Sequence, residues 1–421
     1  MRRAASGDAT LWLCAGAAAT CLAAIVALLA WLGIAGLSAF WPSPIVEVGL
    51  ADGRTLLGEI AERRGNALVI RGSERDRIGG TYLRIERSAI VSRTEPPDAF
   101  AVTLPDGRRL FGRGDAPAAD ALLRSIPDAG ASGAAQWPNA HGSFGRIGAF
   151  LRNAGRFLVA STTAPSLAGG AFPALVGTVT LVFLMSLIVM PFGVATAVYL
   201  HERRGWAAGL VRSAIANLAG VPSIVYGVLG LGLFVHGIGA GIDRWFFADR
   251  LPVPTFGSGG LLWAALTLAL LTLPVVVVSV EEGLERIPPG LRAGSLALGA
   301  TRGETMWRLL LPAARPALLT GLILAIARAA GAVAPLMLVG VVRLAPALPV
   351  DGAFPFLHPS RQFMHLGFSI YDAALASPDA LRGVPRAYAC ALLLVIVVVA
   401  LNLAAIVLRN RLRERYRALE G

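Results

Sequence analysis

The sequence contains no lysine, and all 38 of its basic residues are arginine. A phosphate-binding P-loop places a lysine on the β- and γ-phosphates of a nucleotide, so this chain cannot contain such a loop. Any ATP hydrolysis on which the protein depends must therefore take place on another chain.

Residues that build catalytic and metal sites are also scarce. The chain has three cysteines and five histidines, and it lacks the H-E-x-x-H and G-x-S-x-G motifs. Cys14, Cys21 and Cys390 lie in apolar stretches, where free cysteine behaves as a small buried hydrophobe. Residues 37–171 contain no cysteine, so no disulfide framework is available to them. We therefore expect no enzyme, no metal site and no cofactor.

Hydrophobic residues make up 55% of the chain, above the share that is typical of soluble proteins. They concentrate in runs of about 20 residues or more, the length at which a helix crosses a bilayer. We predict an all-α polytopic membrane protein with six transmembrane helices, at 11–36, 172–200, 210–236, 259–280, 316–342 and 387–408. The first run could be a signal peptide, but it is long for one and no clear cleavage site follows. We favour an uncleaved anchor helix in segment 1–36.

Arginines flank these runs unevenly, which predicts an orientation. One set of short segments carries Arg2, Arg3, Arg203, Arg204, Arg212, Arg286, Arg292, Arg302, Arg308, Arg315, Arg409, Arg411, Arg413, Arg415 and Arg417. The opposite set carries Arg244, Arg250, Arg343, Arg361, Arg382 and Arg386. The positive-inside rule places the first set in the cytoplasm, together with both termini. Because the arginines are dispersed, the net charge of +12 predicts contact with the lipid bilayer and not with nucleic acid.

The segment between the first two runs has a different residue pattern, and the predicted orientation places it on the outer side of the membrane. Residues 37–115 contain short alternating stretches that predict a small β-rich insertion. Two hairpin signals, Asp52-Gly53 and Asp106-Gly107, lie in similar surroundings and suggest a duplicated hairpin. No cluster of histidines or paired carboxylates marks a site there, so a structural or partner-contact module is expected. Residues 116–171 predict a linker followed by an amphipathic helix, which could lie on the membrane surface.

Residues 281–312, which we call the elbow, are too charged for lipid and predict two short helices. Pro288-Pro289 suits the first turn of a helix, and Gly299 suits the left-handed position that follows a helix end. Thr301 and Glu304 have the spacing of a capping box, which begins the second helix. The first helix places four residues on one face: Leu291, Gly294, Ser295 and Leu298.

The apolar runs contain one central charge, Arg328. A mid-bilayer arginine costs roughly 3 kcal/mol on insertion scales unless it faces a cavity or a partner. It could contact an anion along a polar pathway, or it could cap backbone carbonyls or pair with another subunit. Prolines at 191, 222, 274 and 335 interrupt the predicted helices, which favours transport over passive anchoring.

These features resemble the permease subunits of binding-protein-dependent ABC importers of type I. The family signature is E-A-A, three residues, glycine, nine residues, isoleucine, one residue and Leu-Pro. Gly299 and Leu311-Pro312 match its spacing, while Ala293 replaces the glutamate. In the family this loop docks on the ATPase subunit, so the resemblance implies coupling residues here: Gly299, Thr301, Arg302, Glu304, Leu311 and Pro312. It also implies a permease core at 172–408 and a basic cytoplasmic tail at 409–421.

Further segments are similar to phosphate-type permeases, and to their PstA-type subunits in particular: 217–227, 320–331, 334–336, 363–371 and the ending from Asn402. The resemblance implies inorganic phosphate as substrate, carried across the bacterial inner membrane. The implied partners are an ATPase dimer, a second, PstC-like permease and a periplasmic phosphate-binding protein. Arg328 is retained on the implied pathway, whereas Ala332 stands at the family's acidic position.

Two alternatives stay open at this point. The substrate could be another oxyanion, such as sulfate or molybdate. From a different class, the chain could be a membrane-anchored sensor whose external β-rich domain reports to a cytoplasmic partner.

Overall fold

The long apolar runs form helices in the protein, as their hydropathy predicts. A computed structural model describes residues 4–72, 82–103, 109–124, 134–140, 142–160, 170–377 and 380–417. In these residues five helices are long and apolar enough to cross a membrane: Thr10–Ser38, Phe172–Glu202, Ser223–Phe246, Leu261–Glu285 and Gly383–Arg411. A sixth crossing is possible if the helices Arg302–Ala313 and Arg315–Ala330, bent by 64°, act as one span.

The helices are numbered in chain order as follows: α1 Ala4–Ser38, α2 Ala116–Arg124, α3 Ser143–Val159, α4 Phe172–Glu202, α5 Trp206–Gly220, α6 Ser223–Phe246, α7 Leu261–Glu285, α8 Pro289–Ala297, α9 Arg302–Ala313, α10 Arg315–Ala330, α11 Ala334–Val339, α12 Leu366–Ala376 and α13 Ala380–Arg417. The chain divides into two units. The first comprises residues 1–172 and 370–392, and the second comprises residues 173–369 and 393–421.

Two predicted spans have the wrong boundaries. The span predicted at 210–236 is divided between α5 and α6, and Val221 before Pro222 is extended, with ψ 131°. Proline lacks an N–H and disfavours the helical conformation of its predecessor, so the helix stops there. The span predicted at 316–342 ends at Ala330, and Pro335 lies in the first turn of the separate helix α11.

The first unit contains the predicted β-rich domain, built from two antiparallel sheets. Its strands are β1 Ile45–Leu50, β2 Thr55–Arg64, β3 Ala67–Gly72, β4 Tyr82–Glu86, β5 Ile90–Thr94, β6 Ala99–Thr103, β7 Arg109–Arg113 and β8 Ala134–Gln136. One sheet has the order β4-β3-β2-β1-β5, and the other has the order β7-β6-β8. Side chains that alternate along β1 and β3 fill the core of the larger sheet.

The two predicted hairpins pair in equivalent registers. Val48 lies opposite Leu56 in the first, and Val102 lies opposite Leu110 in the second. This equivalence agrees with a duplicated hairpin. The second turn, Asp106-Gly107, lies outside the described residues, as do Arg2 and Arg3.

The segment predicted as a linker before α3 has structure of its own. Helix α2 buries Ala119 against Phe100 and Val102 of β6, and β8 extends the sheet of β6. Its Ala-rich sequence resembles a linker because small residues supply little periodic signal, and the packing against β6 comes from tertiary contacts.

The second unit buries the faces of α4, α7 and α10 against one another. Near the elbow, α7 and α10 approach so closely that a Cβ added at Gly283 would lie 2.1 Å from the Cβ of Ala317. Only glycine permits this distance. The helices α7 and α10 are therefore tightly packed where the elbow begins.

The loop between α11 and α12 is organised by one carboxylate. Asp351 accepts a hydrogen bond from the N–H of Ala353 at 3.0 Å, lies 2.9 Å from Nε2 of His358 and pairs with Arg361. These partners, Arg361 first, hold the pKa of Asp351 well below its usual range. The loop is thus closed by charge-assisted hydrogen bonds.

Candidate functional site

The elbow has the local structure that its sequence predicts. Gly299 has a φ of +83°, and its N–H donates to Leu296 O at 3.0 Å. The N–H of Ala300 donates to Ser295 O at 3.2 Å, which completes a Schellman motif. The chain therefore turns sharply after α8 because a residue without a Cβ occupies the left-handed position.

The second helix of the elbow begins at a complete capping box. Thr301 Oγ1 accepts the Glu304 N–H at 3.2 Å, and the Thr301 N–H donates to Glu304 Oε2 at 3.0 Å. The hydroxyl of Thr301 also donates to the same carboxylate at 2.9 Å. Two N–H groups that the helix cannot satisfy are bonded in this way, so α9 has a fixed beginning. Its middle, Thr305–Leu310, is a π-helix, which the sequence pattern did not indicate.

A groove of about 760 Å³ lies between the two elbow helices. Its lining includes the four residues predicted on one face of α8: Leu291, Gly294, Ser295 and Leu298. Glu304 and Arg308 line it as well, and Leu298 is 91% exposed. Leu291 is 47% exposed, so the groove presents two apolar side chains beside charged groups.

The elbow is fastened to the rest of the second unit by long-range polar contacts. Arg292 of α8 donates to Glu202, at the end of α4, at 2.7 Å, and both side chains are partly buried. Ser295 and Thr305 bring their hydroxyls to 2.9 Å across the turn. Arg212 of α5 also pairs with Glu281 at the end of α7. Polar contacts therefore join α8 to α4, α8 to α9, and α5 to α7.

The predicted coupling residues fall into two groups. Gly299, Thr301, Arg302 and Glu304 are exposed at the turn and at the start of α9. Leu311 is buried in the main core, where it packs the elbow against the membrane helices, and Pro312 is half-buried. Ala293, at the position where the resembling family has glutamate, is exposed on α8.

Some residues of the elbow carry roles that the sequence reasoning missed. Arg292 and Arg308 were counted only as charges for orientation, yet one ties α8 to α4 and the other lines the groove. The partner of Arg292 lies 90 residues away in sequence. No local pattern could therefore have identified that pair.

Arg328 lies on an exposed face of α10 together with Leu324, Ala327 and Gly331. Among the described residues its guanidinium has no ion pair and no hydrogen bond to a backbone carbonyl. Tyr226 of α6 is within electrostatic range of Arg328, and its hydroxyl donates to Leu218 O at 2.5 Å. The described structure therefore gives no support to the interpretation that Arg328 caps carbonyls.

The one buried carboxylate at the end of α6, Asp243, is used elsewhere. It accepts hydrogen bonds from the N–H groups of Thr255, Phe256 and Gly257 at 2.7–3.0 Å. Asp243 thus organises the loop that follows α6 and does not neutralise Arg328. Within the described ranges, no cluster of three histidine, cysteine or acidic side chains is arranged to hold a metal.

Comparison with known proteins gives a family match across most of the permease-like part. Residues 156–418 match the family described as binding-protein-dependent transport system inner membrane component. The chain is 35% identical over 187 residues to the probable ABC transporter permease protein YqgH of Bacillus subtilis, covering 44% of this chain and 57% of that protein. It is 34% identical over 243 residues to the phosphate transport system permease protein PstA 1 of Mycobacterium tuberculosis, covering 58% of this chain and 71% of that protein.

A relative named phosphate transport system permease protein PstC, from Pasteurella multocida, is 32% identical over 172 residues, with coverage of 38% and 53%. The chain thus spans little more than half of the length of YqgH and of this PstC. Among solved structures, the inward-facing MetNI methionine ABC transporter aligns with a TM-score of 0.43 at 20% identity, covering 57% of this chain and 94% of that chain. The β-rich strands lie before the matched residues.

Proposed function

The chain belongs to the family of binding-protein-dependent transport system inner membrane components, and on this basis we propose that it is the permease subunit of an importer for inorganic phosphate. Members of this family are multi-pass membrane subunits without catalytic activity of their own. The relatives named for phosphate transport support the choice of substrate. The observation that carries the proposal is the exposed, capped elbow fastened to the membrane helices.

We propose that the partners are an ATPase dimer, a second PstC-like permease and a periplasmic phosphate-binding protein. The absence of lysine requires that the ATPase be a separate chain. By the arginine distribution the elbow faces the cytoplasm, where an ATPase would meet it, and both termini lie on that side. The family's description supports a binding protein on the opposite side.

The elbow would act as the contact that transmits movement of the ATPase. Leu291 and Leu298 would insert into the partner, while Arg302 and Glu304 would supply polar contacts at the rim. Because the Schellman turn and the capping box fix the angle between α8 and α9, the elbow moves as one body. The Arg292–Glu202 ion pair then carries that movement to α4.

Arg328 would contact the substrate in transit. A guanidinium presents N–H groups in a planar fork that matches phosphate oxygens, and its bonds to them are charge-assisted. Among the described residues no acidic side chain forms an ion pair with Arg328. Position 332, where the resembling family has an acidic residue, is alanine in this chain. The arginine is therefore available to an anion that enters the path, or to the second permease between transport cycles.

The test of this role is uptake of radiolabelled phosphate by the assembled importer. We expect Arg328→Ala to reduce uptake by about 10- to 100-fold, since a hydrogen bond to a charged group contributes roughly 1.5–3 kcal/mol. Arg244→Ala, which removes an exposed arginine at the end of α6, should leave uptake unchanged. Normal uptake by Arg328→Ala at equal membrane abundance would remove this residue from the pathway.

The two alternatives are separated by other measurements. Sulfate or molybdate, added with its own binding protein, would stimulate the ATPase of the reconstituted complex if either were the substrate. A sensor would keep signalling after the path is blocked, whereas a permease would lose its function. Neither alternative has a structural observation in its favour.

A further inference from the structure

Helix α3 has an apolar surface that the described chain does not cover. Phe144, Ile147, Leu151 and Leu158 recur at helical spacing, and each of them is exposed, Leu151 at 62% and Phe144 at 91%. We call these four residues the apolar stripe. An exposed stripe of this kind requires a partner surface of matching polarity.

The face of α3 that adjoins the apolar stripe is packed, and its contacts fix where the helix lies. Phe150 meets Phe40 edge to face and Phe157 meets it at a tilt, with ring centroids 6.3 and 5.1 Å apart, and Trp41 contacts Phe150. Asn153 donates to the carbonyl oxygen of Phe40 at 3.1 Å. Phe40 and Trp41 directly follow the first membrane span, so α3 is held at the level where that span leaves the bilayer.

A second contact places α3 beside the entrance to the next span. The N–H of Ala171 donates to the carbonyl oxygen of Phe157 at 2.6 Å. Phe172, the next residue, begins the membrane helix α4. The helix is therefore tethered to the chain just after the first span ends and to the chain just before the next span begins.

The charges of α3 suit a phospholipid surface. The helix contains Arg146, Arg152 and Arg156 and no acidic residue. Arginines beside an apolar face are the pattern of helices that lie in the headgroup region, where guanidinium groups meet lipid phosphates.

From these observations we infer that α3 lies flat in the membrane interface, on the side that carries the β-rich domain. The apolar stripe enters the boundary between headgroups and acyl chains, and the arginines lie at the level of the phosphates. The β-rich domain is thereby fixed to the bilayer surface at the point where the chain re-enters the membrane. This inference rests on the membrane spans and is independent of the substrate.

The experiment uses the full-length chain in phospholipid nanodiscs, with the three native cysteines replaced by alanine. Nitroxide labels are placed at Leu151→Cys, on the apolar stripe, and at Arg152→Cys, its neighbour on the charged side. Val91→Cys on strand β5, where the side chain is 73% exposed, is the control. Accessibility to oxygen and to a water-soluble nickel complex gives the depth of each label.

We expect the label at Leu151 to lie roughly 5–10 Å below the phosphate plane. The label at Arg152 should lie at the phosphates, and the label at Val91 should be in water. A label at Leu151 that is as open to nickel as the label at Val91 would overturn the inference. Shielding of the Leu151 label from both oxygen and nickel would also overturn it, because a protein would then cover the stripe.

A second measurement needs no substitution. Hydroxyl-radical footprinting of the unaltered chain in nanodiscs should leave Phe144 and Leu151 unmodified while Val91 is oxidised. Equal oxidation at these positions would show that the stripe is in water, even if the cysteine-free variants failed to fold.

Discussion

Replacing Gly299 by alanine changes only the backbone preference of the elbow. The residue has a φ of +83°, which a residue with a Cβ adopts at a cost of roughly 1–2 kcal/mol. A Cβ at this position would have no heavy atom within 4 Å, so steric overlap adds nothing to the cost. The whole penalty therefore falls on the Schellman turn that joins α8 to α9.

A penalty of this size is measurable at the hydrogen bonds of the turn. It corresponds to a factor of about 5–30 in the ratio of closed to opened turns. The N–H of Ala300, bonded to Ser295 O, should exchange with solvent faster by that factor in Gly299→Ala. Hydrogen exchange followed by mass spectrometry on peptides that cover 295–304 measures the rate in the full-length protein. We also expect phosphate uptake by the assembled importer to fall, because the turn is open for a larger share of the time.

Two variants make the comparison specific. Gly299→Asn should have a smaller effect, since asparagine tolerates the left-handed region. Gly303→Ala lies in the first turn of α9, with no positive φ and open space around it, so its exchange should be unchanged or slower. The reasoning fails if Gly299→Ala exchanges at the wild-type rate, or if Gly303→Ala accelerates exchange equally.

Other contacts of the structure give further predictions. Thr301→Val removes the N-cap of α9 and should lower the stability of that helix by about 1 kcal/mol. Amide hydrogen exchange in the first turn of α9 should then be faster, and an unchanged rate would contradict the capping role. In a double-mutant cycle, Arg292→Ala and Glu202→Ala should show a coupling free energy of about 0.5–1 kcal/mol, measured by thermal unfolding. If the two substitutions changed the stability additively, the ion pair would not be formed. Arg361 depresses the pKa of Asp351 in the loop between α11 and α12, so the folded loop is stabilised only while this carboxyl is ionised. As the pH falls from the usual carboxyl pKa of 3.8 toward the lower pKa of the folded protein, the loop should become easier to cleave by a protease. Asp351→Asn should abolish that dependence, and its persistence would assign the titration to another group.

Features that depend on a few neighbouring residues were predicted well. The turn at Gly299 and the capping box at Thr301 and Glu304 formed as expected, because each is satisfied by atoms within five residues. The β-hairpins followed for the same reason. The membrane helices were predicted by hydropathy, but the breaks at Pro222 and Pro335 moved two of their boundaries. The predicted interruptions at Pro191 and Pro274 were wrong, because α4 and α7 continue through these prolines. Hydropathy is high on both sides of all four prolines, so it does not distinguish a helix that ends from one that continues.

Sequence alone was enough to assign the class of protein, the rough places of its membrane helices and the local structure of the elbow. It predicted six membrane helices, whereas the described residues contain five, or six if the bent pair α9 and α10 is one span. It also excluded a phosphate-binding P-loop from this chain, since the chain has no lysine. Only the tertiary structure decided that Arg292 joins Glu202, that Asp243 serves a loop and that α3 rests against Phe40. These contacts join groups that are far apart in the chain or that lack a periodic signal, so packing alone selects their partners.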